Sequence, residues 1–339
     1  MSNYIAYIES PLQAFNLIEL LDAKEITIDL LIINKKTTNS LLNYKQIMNI
    51  ISMVRHKVLV TIDIEGTLRN SFKIKRELKA IKFGFPIKNK VTLIAGEYRS
   101  RVFWFLAAKF KSRDIILLDD GTATLRINRD GGFNPRKIVK SMFLKIIGMV
   151  SYEYEKITFF SVYNIEEKVS KNDNVIMHSY ENYRKKLQTL PKSENKIFII
   201  GSPLFEAGVT SVDDIELTIN MISDLISNQP DCSFYYVPHR RERDKKIKRI
   251  SELVEIKRFD FPFEVYPLME KENVSSIAGF YSSLYDNLIT IYGKNIKITS
   301  YVIDADKIAP EWKVFVGSVY DNYTRYKNAN IELIKKCFD

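Results

Sequence analysis

The amino-acid sequence predicts an α/β protein of two domains, each built on a mostly parallel β-sheet. Short apolar runs of strand length alternate along the chain with longer amphipathic segments, which is the pattern of βαβ units. The length of 339 residues suits two domains, because one domain usually has about 100–200 residues. A polar segment that contains Pro191 precedes a fresh apolar run at residue 196, so we predict the domains 1–192 and 193–339.

The candidate strands are apolar runs bounded by polar or turn-forming residues. In the first domain they span residues 4–8, 26–33, 57–62, 91–95, 114–118, 156–160 and 174–177. In the second domain they span residues 196–200, 233–237, 254–257, 274–279 and 287–291. The segments 12–21 and 215–226 are two of the helices expected between them, and we expect a C-terminal helix to pack back on the first domain.

The composition describes a folded chain and excludes several classes of protein. Hydrophobic residues make up 46% and charged residues 27%, which excludes a disordered or collagen-like chain. Two cysteines, Cys232 and Cys337, are too few for a disulfide framework or a cysteine-rich zinc site. The sequence has no secretory signal and no apolar run of the about 18–20 residues that span a bilayer. We therefore expect a cytoplasmic protein.

Positive charge exceeds negative charge, with 51 Lys and Arg against 41 Asp and Glu and a net charge of +10. This excess is typical of a solvated surface or of a protein with an acidic partner, such as nucleic acid, an anionic membrane or an anionic substrate. The basic amphipathic segment 135–150 predicts a helix that either packs in the core or lies on an anionic membrane leaflet, where the protein would be peripheral.

Polar residues follow two predicted strands of the first domain. Ser10 and Gln13 have the spacing of a capping box, which predicts that a helix starts here. This is either an ordinary helix start or one whose free backbone N–H groups face a polar ligand. Asp119 and Asp120 follow another strand and precede Gly121. Adjacent carboxylates are costly to keep near a core unless they bind or react, although an Asp-Asp-Gly turn is also common.

The second domain has polar residues at its own strand ends. Of the three histidines, only His239 follows a predicted strand where an α/β sheet opens toward a cleft, between Pro238 and Arg240. With arginines beside it, this histidine suits either an anion site or a structural role. Ser282 and Ser283 follow a second strand and begin a helix, where they form either a phosphate cradle or an ordinary cap.

Glu264 lies among apolar residues between these two motifs. A carboxylate in that setting could accept hydrogen bonds from a ribose diol, as acidic residues do in dinucleotide-binding folds. The histidines and cysteines lack metal-binding spacing, and the sequence contains no phosphate-binding glycine loop and no nucleophile elbow. The sequence therefore predicts no metal site.

The motifs Asp119-Asp120-Gly121, Pro238-His239 and Ser282-Ser283 occur at strand ends in an order that resembles the bacterial sialyltransferases. Those families share acidic-acidic-Gly, His-Pro and Ser-Ser/Thr motifs. The segments Ser10-Pro11-Leu12-Gln13 and Gly201-Ser202-Pro203-Leu204 look like the branch of the lipooligosaccharide sialyltransferases and polysialyltransferases. The match covers most of the chain as ordered short motifs. It departs from the families in one place, since here Pro precedes the histidine.

The resemblance implies the GT-B fold, in which two Rossmann-like domains with mostly parallel sheets face each other. It implies an inverting glycosyltransferase that requires no metal and no other cofactor. The donor would be a CMP-activated sialic acid or a related nonulosonic acid. The acceptor would be a hydroxyl of a bacterial surface glycan or glycolipid, such as lipooligosaccharide or a capsule repeat, and nucleic acid would not be a partner.

The resemblance also implies roles for individual residues. Asp120 would be the general base, with Asp119 beside it, and a protonated His239 would face the leaving phosphate. The serine pair would bind the phosphate, Glu264 the ribose, and Gly201 would lie near the nucleotide. The full set of expected substrate-binding residues is Ser10, Gln13, Gly121, Gly201, Ser202, Pro203, Pro238, Arg240, Glu264, Ser282 and Ser283.

Two other functions remain open from the sequence. One is a transferase that uses CMP-Kdo or another nucleotide sugar on the same fold. The other is a binding module without catalysis, which would hold nucleic acid or an anionic surface through basic and aromatic residues. The basic segment 240–249 fits the second function poorly, because it also contains Glu242 and Asp244.

Overall fold

The structure is a computed structural model that describes residues 3–35, 41–65, 70–85, 90–112, 114–121, 124–129, 142 and 156–336. The basic segment 135–150 lies outside these residues except for residue 142. The chain divides into two compact units. The first is Met1–Asn182 with Asp260–Pro262, and the second is Tyr183–Phe259 with Phe263–Asp339.

The first unit alternates strands and helices around a seven-stranded sheet. Its strands are β1 (Asn3–Ile8), β2 (Ile28–Asn34), β3 (His56–Ile62), β4 (Val91–Ala95), β5 (Asp114–Leu118), β6 (Thr158–Ser161) and β7 (Asn174–Met177). Its helices are α1 (Pro11–Lys24), α2 (Leu41–Ile51), α3 (Ser71–Gly84) and α4 (Arg101–Phe110). Helix α5 (Glu181–Leu187) spans the point in the sequence where the first unit gives way to the second.

The second unit has the same plan around a six-stranded sheet. Its strands are β8 (Lys196–Ile200), β9 (Ser233–Val237), β10 (Glu255–Ile256), β11 (Ser276–Gly279), β12 (Lys297–Tyr301) and β13 (Asn330–Ile334). Its helices are α6 (Ile215–Asn228), α7 (Asp244–Ile250), α8 (Tyr266–Glu270), α9 (Ser283–Tyr292) and α10 (Lys313–Arg325). A 3₁₀ turn, Phe263–Val265, leads into α8.

Both sheets are parallel and doubly wound. The strand orders are β3-β2-β1-β4-β5-β6-β7 and β10-β9-β8-β11-β12-β13, and each pair of neighbours runs parallel, as where Ile5 lies opposite Leu30 of β2 and Leu93 of β4. The order reverses direction between β1 and β4 and again between β8 and β11. In open α/β sheets, ligands bind beyond the carboxyl ends of the strands at such a switch point. The fold therefore directs attention to the loops after β1, β4, β8 and β11.

Apolar strands buried on both faces form the core of each unit. All seven residues of β2 are buried, which accounts for its nearly continuous apolar sequence. Trp104 of α4 is fully buried against this layer of the first unit. In the second unit, Ile277 and Ile298 are fully buried on neighbouring strands. Each such side chain stabilises the fold by about 1.5–3 kcal/mol relative to an exposed one.

The predicted strands are confirmed with one exception. The run 287–291 was expected to be a strand, but it is the second half of helix α9. Tyr285, Leu288 and Ile289 are buried at helical spacing on one face, so the helix that begins after Ser282 continues through this apolar run. The strands β12 and β13 were not expected, because their sequences alternate apolar residues with Lys, Thr or Glu.

Within the described residues, no helix is both long and apolar enough to span a bilayer.

Candidate functional site

In the first unit, the loop after β1 begins helix α1 with the predicted capping box. The hydroxyl oxygen of Ser10 accepts a hydrogen bond of 3.3 Å from the backbone N–H of Gln13. The side-chain oxygen of Gln13 in turn accepts one of 2.9 Å from the backbone N–H of Glu9. These bonds satisfy N–H groups that would otherwise have no partner at the helix start. The helix begins at Pro11, so this prediction is confirmed.

Asp120 follows β5 and lies half-buried beside the start of α1. Ser10 Oγ donates a hydrogen bond of 2.9 Å to Asp120 Oδ1, and the backbone N–H of Asp120 donates one of 3.0 Å to Thr124 Oγ1. Burial raises the pKa of Asp120, and the negative charges of Glu97 and Glu9 act in the same direction against the hydrogen bond from Ser10. A raised pKa makes a carboxylate a stronger base, and partial access to solvent lets it meet a ligand's hydroxyl group.

Asp119 points the other way and is almost fully buried, with 2% of its surface exposed. Its Oδ1 accepts a hydrogen bond of 2.7 Å from Ser161 Oγ, and its Oδ2 accepts one of 2.7 Å from the backbone N–H of Val162. Its backbone oxygen accepts a bond of 3.0 Å from Asn16 Nδ2. Burial raises the pKa of Asp119 to about 6. Since both carboxylate oxygens are bonded within the unit, the side chain anchors the loop that carries Asp120.

Gly121 turns the chain directly after the two aspartates. Its φ of +63° lies in the left-handed region, which glycine adopts without steric cost. The backbone N–H of Thr124 then donates a hydrogen bond of 3.1 Å to the carbonyl oxygen of Gly121. The predicted glycine therefore shapes the loop of the carboxylates.

His178 was not among the residues expected from the sequence, although it directly follows the predicted strand 174–177, so the expectation that His239 alone follows a strand in this way is wrong. His178 follows β7 directly and is buried, and its ring stacks on Phe160 at 4.0 Å between centroids. Its Nε2 lies 4.0 Å from Asp119 Oδ2, and neither ring nitrogen has a hydrogen-bond partner. Burial lowers the pKa of His178 to about 4, so the ring is neutral at pH 7. Its position after a strand end was the one available signal, and it is the same signal that identified Asp119.

In the second unit, the loops after β8 and β9 meet at a buried carboxylate. Glu242 Oε1 accepts a hydrogen bond of 2.6 Å from the Tyr236 hydroxyl, and Oε2 accepts one of 2.6 Å from the backbone N–H of His239. A side chain at Gly201 would overlap the Glu242 carboxylate and lie 2.9 Å from the same N–H. Glycine is therefore required after β8, because the carboxylate occupies the space of a Cβ atom.

The other expected residues of these two loops also lie at strand ends. The buried Ser202 follows β8 and accepts a hydrogen bond of 2.9 Å at its backbone oxygen from Lys246 Nζ. The carbonyl of Pro203 accepts one of 2.9 Å from Ala207 N, which begins a turn. Pro238 directly follows β9.

His239 is half-buried with its ring orientation partly fixed. Its Nδ1 accepts a hydrogen bond of 3.2 Å from the backbone N–H of Arg241. Burial together with the charges of Arg241 and Arg240 lowers the pKa of His239 to about 4. The imidazole is therefore neutral at pH 7, and its expected role beside the leaving phosphate stays a prediction. The neutral ring carries its proton on Nε2, which is a hydrogen-bond donor, and the exposed Arg240 follows it in the chain.

The serine pair begins helix α9 after β11. Ser282 caps the helix, and its Oγ accepts a hydrogen bond of 3.2 Å from the backbone N–H of Leu284. The Tyr323 hydroxyl donates one of 3.0 Å to the Ser282 carbonyl and accepts one of 3.1 Å from the Ser282 N–H. Ser283 is exposed at the first helical position. The first turn thus presents a hydroxyl and the positive end of the helix dipole toward solvent.

Glu264 lies beside this same helix. Its Oε1 accepts a hydrogen bond of 3.0 Å from Asn287 Nδ2 of α9, and its backbone oxygen accepts one of 2.6 Å from the Tyr183 hydroxyl. Burial raises the pKa of Glu264. Asn287 stands four residues after Ser283, about 6 Å along the helix axis. The structure therefore brings the predicted ribose ligand and the predicted phosphate ligands to successive turns of one helix.

Three basic residues of the segment 240–249 form ion pairs with acidic neighbours. Arg243 Nε lies 2.8 Å from Glu206 Oε1, and Arg243 Nη2 lies 2.9 Å from Asp213 Oδ1. Lys246 is fully buried between carboxylates, and Arg249 pairs with Glu216 at 3.3 Å. In the described ranges, no group of three or more His, Cys, Asp or Glu residues could hold a metal ion.

Comparisons with known proteins identify the fold and not the family. Neither a protein-family model nor a curated sequence matches the chain. Among solved structures, a protein described as a UDP-N-acetylglucosamine 2-epimerase from Listeria monocytogenes superposes with a TM-score of 0.54 at 9% identity, over 97% of this chain and 92% of its own. S. aureus MnaA in complex with UDP gives a TM-score of 0.50 at 10% identity, over 97% and 90%.

A third similar structure, a UDP-N-acetylglucosamine 2-epimerase from Rickettsia bellii, gives a TM-score of 0.50 at 11% identity, over 95% of this chain and 88% of its own. These likenesses confirm the predicted fold class. The chain has a GT-B-type α/β fold with two Rossmann-like units on parallel sheets. At such low identity the likeness concerns the fold alone, since one fold can carry many functions.

Proposed function

We propose that the protein is a glycosyltransferase that moves a sugar from a nucleotide-activated donor to an acceptor hydroxyl, with Asp120 as the general base. The observation that carries this proposal is the hydrogen bond from Ser10, in the loop after β1 at the switch point of the first sheet, to Asp120 in the loop after β5. It holds an accessible carboxylate with a raised pKa beside the amino end of α1. Ligands of α/β proteins bind at this edge of the sheet.

The proposed chemistry uses the carboxylate in two ways. The acceptor hydroxyl loses its proton to Asp120 as its oxygen attacks the anomeric carbon of the donor. The transition state has oxocarbenium character, so a nearby negative charge also stabilises it. A single displacement inverts the anomeric centre. Asp119 supports this step indirectly, because its bonds to Ser161 and Val162 fix the loop.

The second unit supplies the proposed donor-binding residues. The leaving nucleotide gains negative charge, which the amino end of α9, the Ser283 hydroxyl and the Nε2–H of His239 can stabilise. Glu264 of the 3₁₀ turn, which is bonded to Asn287 one turn along α9, would accept hydrogen bonds from the ribose. The nucleotide-sugar donor is also supported by the similar structures, which are named for UDP-sugar enzymes, one of them in complex with UDP.

For the donor itself we propose a CMP-activated nonulosonic acid, and for the acceptor a bacterial surface glycan. The support is the order of the Asp119-Asp120-Gly121, Pro238-His239 and Ser282-Ser283 motifs along the chain. UDP-sugars are the competing donors, and sugar epimerisation without transfer is the competing reaction. The proposed reaction needs no metal, because hydroxyls, imidazole and a helix end take the part that a divalent cation plays in other transferases.

The test is a donor panel with product analysis. CMP-N-acetylneuraminic acid, CMP-Kdo and UDP-N-acetylglucosamine are each incubated with the enzyme and a set of lipooligosaccharide and capsule acceptors in excess EDTA. Nucleotide release is followed by chromatography and the glycan product by NMR. We expect CMP release with an inverted linkage from the first donor. A 2-epimer of the UDP-sugar, or a strict requirement for Mg²⁺ or Mn²⁺, would overturn the proposal.

Asp120→Asn provides the matched variant for the base. It should lower kcat by about 10²–10⁴-fold while leaving CMP binding nearly unchanged. Asp114→Asn is the control, because Asp114 lies at the opposite end of the same strand and is half exposed beside Lys90. Near wild-type turnover in Asp120→Asn would show that another group is the base.

A further inference from the structure

Lys246 is an unusual residue for its position, since its side chain is completely buried in helix α7. Its Nζ donates a hydrogen bond of 2.7 Å to Asp214 Oδ2 and one of 2.9 Å to the backbone oxygen of Ser202. It also lies 2.9 Å from Glu242 Oε1. A buried ammonium group is retained only when its partners replace the lost hydration. Here the partners come from two loops, since Ser202 and Asp214 lie after β8 and Glu242 lies after β9.

Glu242 connects this cluster to the loop after β9. Its carboxylate accepts the backbone N–H of His239 at 2.6 Å and the Tyr236 hydroxyl at 2.6 Å, besides the contact with Lys246. Another backbone bond, 3.0 Å from Glu242 N to the His239 oxygen, closes the turn. The backbone of His239 is thus held at both its N–H and its carbonyl by one residue.

The ring of His239 is oriented by the same turn, because its Nδ1 accepts the backbone N–H of Arg241. With that nitrogen occupied, only Nε2 remains to meet a ligand. We infer that Glu242 and Lys246 are positioning residues, which fix the loops after β8 and β9 so that His239 presents Nε2–H to the donor phosphate. This inference rests on the proposed role of His239 in donor binding. It assigns a function to two charged residues of the basic segment 240–249, Glu242 and Lys246.

The charged groups around His239 shift the pKa of its imidazole, so titration of the imidazole reports a change in these groups. Arg241 and Arg240 of its own loop and Lys246 of α7 lower the pKa of the imidazole, and Glu206 of the loop after β8 raises it. Glu242 contacts the backbone of the histidine. Removal of the Lys246 charge should therefore raise the pKa of His239, whereas removal of an exposed lysine should not.

The primary variant is the double change Asp214→Asn with Lys246→Met. It removes one negative and one positive charge together, so Glu242 is left as the sole charge of the cluster. Lys245→Met is the matched control, because Lys245 is the preceding residue and is exposed. If the double variant does not fold, Tyr236→Phe removes only the hydroxyl bonded to Glu242, and Tyr235→Phe is its control.

The readouts are titration of the His239 imidazole by NMR, CMP affinity by calorimetry and the thermal midpoint. We expect the double variant to bind CMP about tenfold more weakly and to titrate His239 at a higher pH. For Tyr236→Phe we expect a loss of about threefold in affinity. A lower thermal midpoint with unchanged affinity and unchanged titration would overturn the inference, because the network would then be structural only.

The failure of the proposed function gives a different result. If the wild-type protein binds neither CMP nor UMP, the donor proposal fails, and the NMR titration alone decides the positioning role. An imidazole that titrates identically in wild type and in the folded double variant would then reject it. A shift in the double variant, absent in Lys245→Met, would support it.

Discussion

The hydroxyl of Ser10 donates a hydrogen bond of 2.9 Å to Oδ1 of Asp120, across 110 positions of the sequence. The same hydroxyl oxygen accepts the N–H of Gln13 and so caps helix α1. One side chain therefore couples a helix start to the candidate base. Because the cap holds Ser10 in place, the carboxylate of Asp120 keeps one orientation at the carboxyl edge of the sheet.

Ser10→Ala removes both the helix cap and the contact with the candidate base, and a control at another helix cap separates the two effects. Loss of the cap should lower stability by about 1 kcal/mol. Loss of the hydrogen bond to the ionised carboxylate should raise the pKa of Asp120 further, so the acidic limb of kcat/KM should move to higher pH. Ser100→Ala is the control, because Ser100 caps α4 by accepting the N–H of Phe103. An unchanged pH profile in Ser10→Ala would reject the coupling.

Asp119→Asn should expose the structural role of the buried carboxylate. Both oxygens of the Asp119 carboxyl group, which is neutral at pH 4, can accept hydrogen bonds from Ser161 and Val162, whereas the amide nitrogen of asparagine cannot accept one. We therefore expect a loss of about 1–3 kcal/mol in the free energy of unfolding at pH 4. Turnover should fall less than in Asp120→Asn. Urea unfolding at several pH values measures the effect.

The stability difference between wild type and Asp119→Asn depends on pH with a definite sign. Burial raises the pKa of Asp119 to about 6 in the folded protein, against 3.8 for an ordinary aspartate. Between these values the folded state keeps a proton that the unfolded state releases, so stability falls as pH rises. The advantage of wild type over Asp119→Asn should shrink by about 2 kcal/mol from pH 4 to pH 7. A difference that stays constant with pH would contradict the buried carboxylate.

Local patterns in the sequence were sufficient for strands β1 to β11 and for the helix start after Ser10. A capping box and a run of apolar residues involve neighbours in the chain, so their physical cause is visible in one sequence. The division of labour between Asp119 and Asp120 was not visible, because it depends on Ser161 and Val162 of a distant strand. The burial of Lys246 was hidden for the same reason, since its partners come from other loops.

The wrongly predicted strand has a related explanation. The run 287–291 contains Leu, Ile and Thr, which favour a buried strand when it is considered alone. The cap at Ser282 and the helical spacing of the buried Tyr285, Leu288 and Ile289 outweigh that preference. Tertiary packing of one face decides the structure of a short apolar segment.

Gly201→Ala should disrupt the second-unit network. Its new methyl group would overlap the Glu242 carboxylate, so that carboxylate must move away from the His239 N–H. We expect a loss of about 1–3 kcal/mol in unfolding free energy, as in overpacked cores, and weaker CMP binding. Gly317→Ala is the control, because nothing lies within 4 Å of its Cβ position in α10. A Gly201→Ala protein as stable as the control would contradict the close approach.

Single changes of the serine pair should separate capping from anion binding. Ser282→Ala removes the acceptor for the Leu284 N–H and should cost about 1 kcal/mol of stability, whereas Ser282→Gly should cost only a few tenths. Ser283 is exposed at the first helical position, so Ser283→Ala should leave the thermal midpoint unchanged. It should still weaken CMP affinity by several fold, because a hydroxyl that donates to the phosphate is lost.

The decisive comparison uses Ser282→Gly and Ser283→Ala at pH 7, with calorimetric titration of CMP. If the helix start binds the phosphate, the doubly changed protein should bind CMP more weakly than either single variant, because the two hydroxyls serve one anion. His239→Ala should weaken binding independently, since the neutral imidazole donates from the loop after β9. If the two single serine variants, the doubly changed protein and His239→Ala all bind CMP as tightly as wild type does, the nucleotide binds elsewhere on the protein.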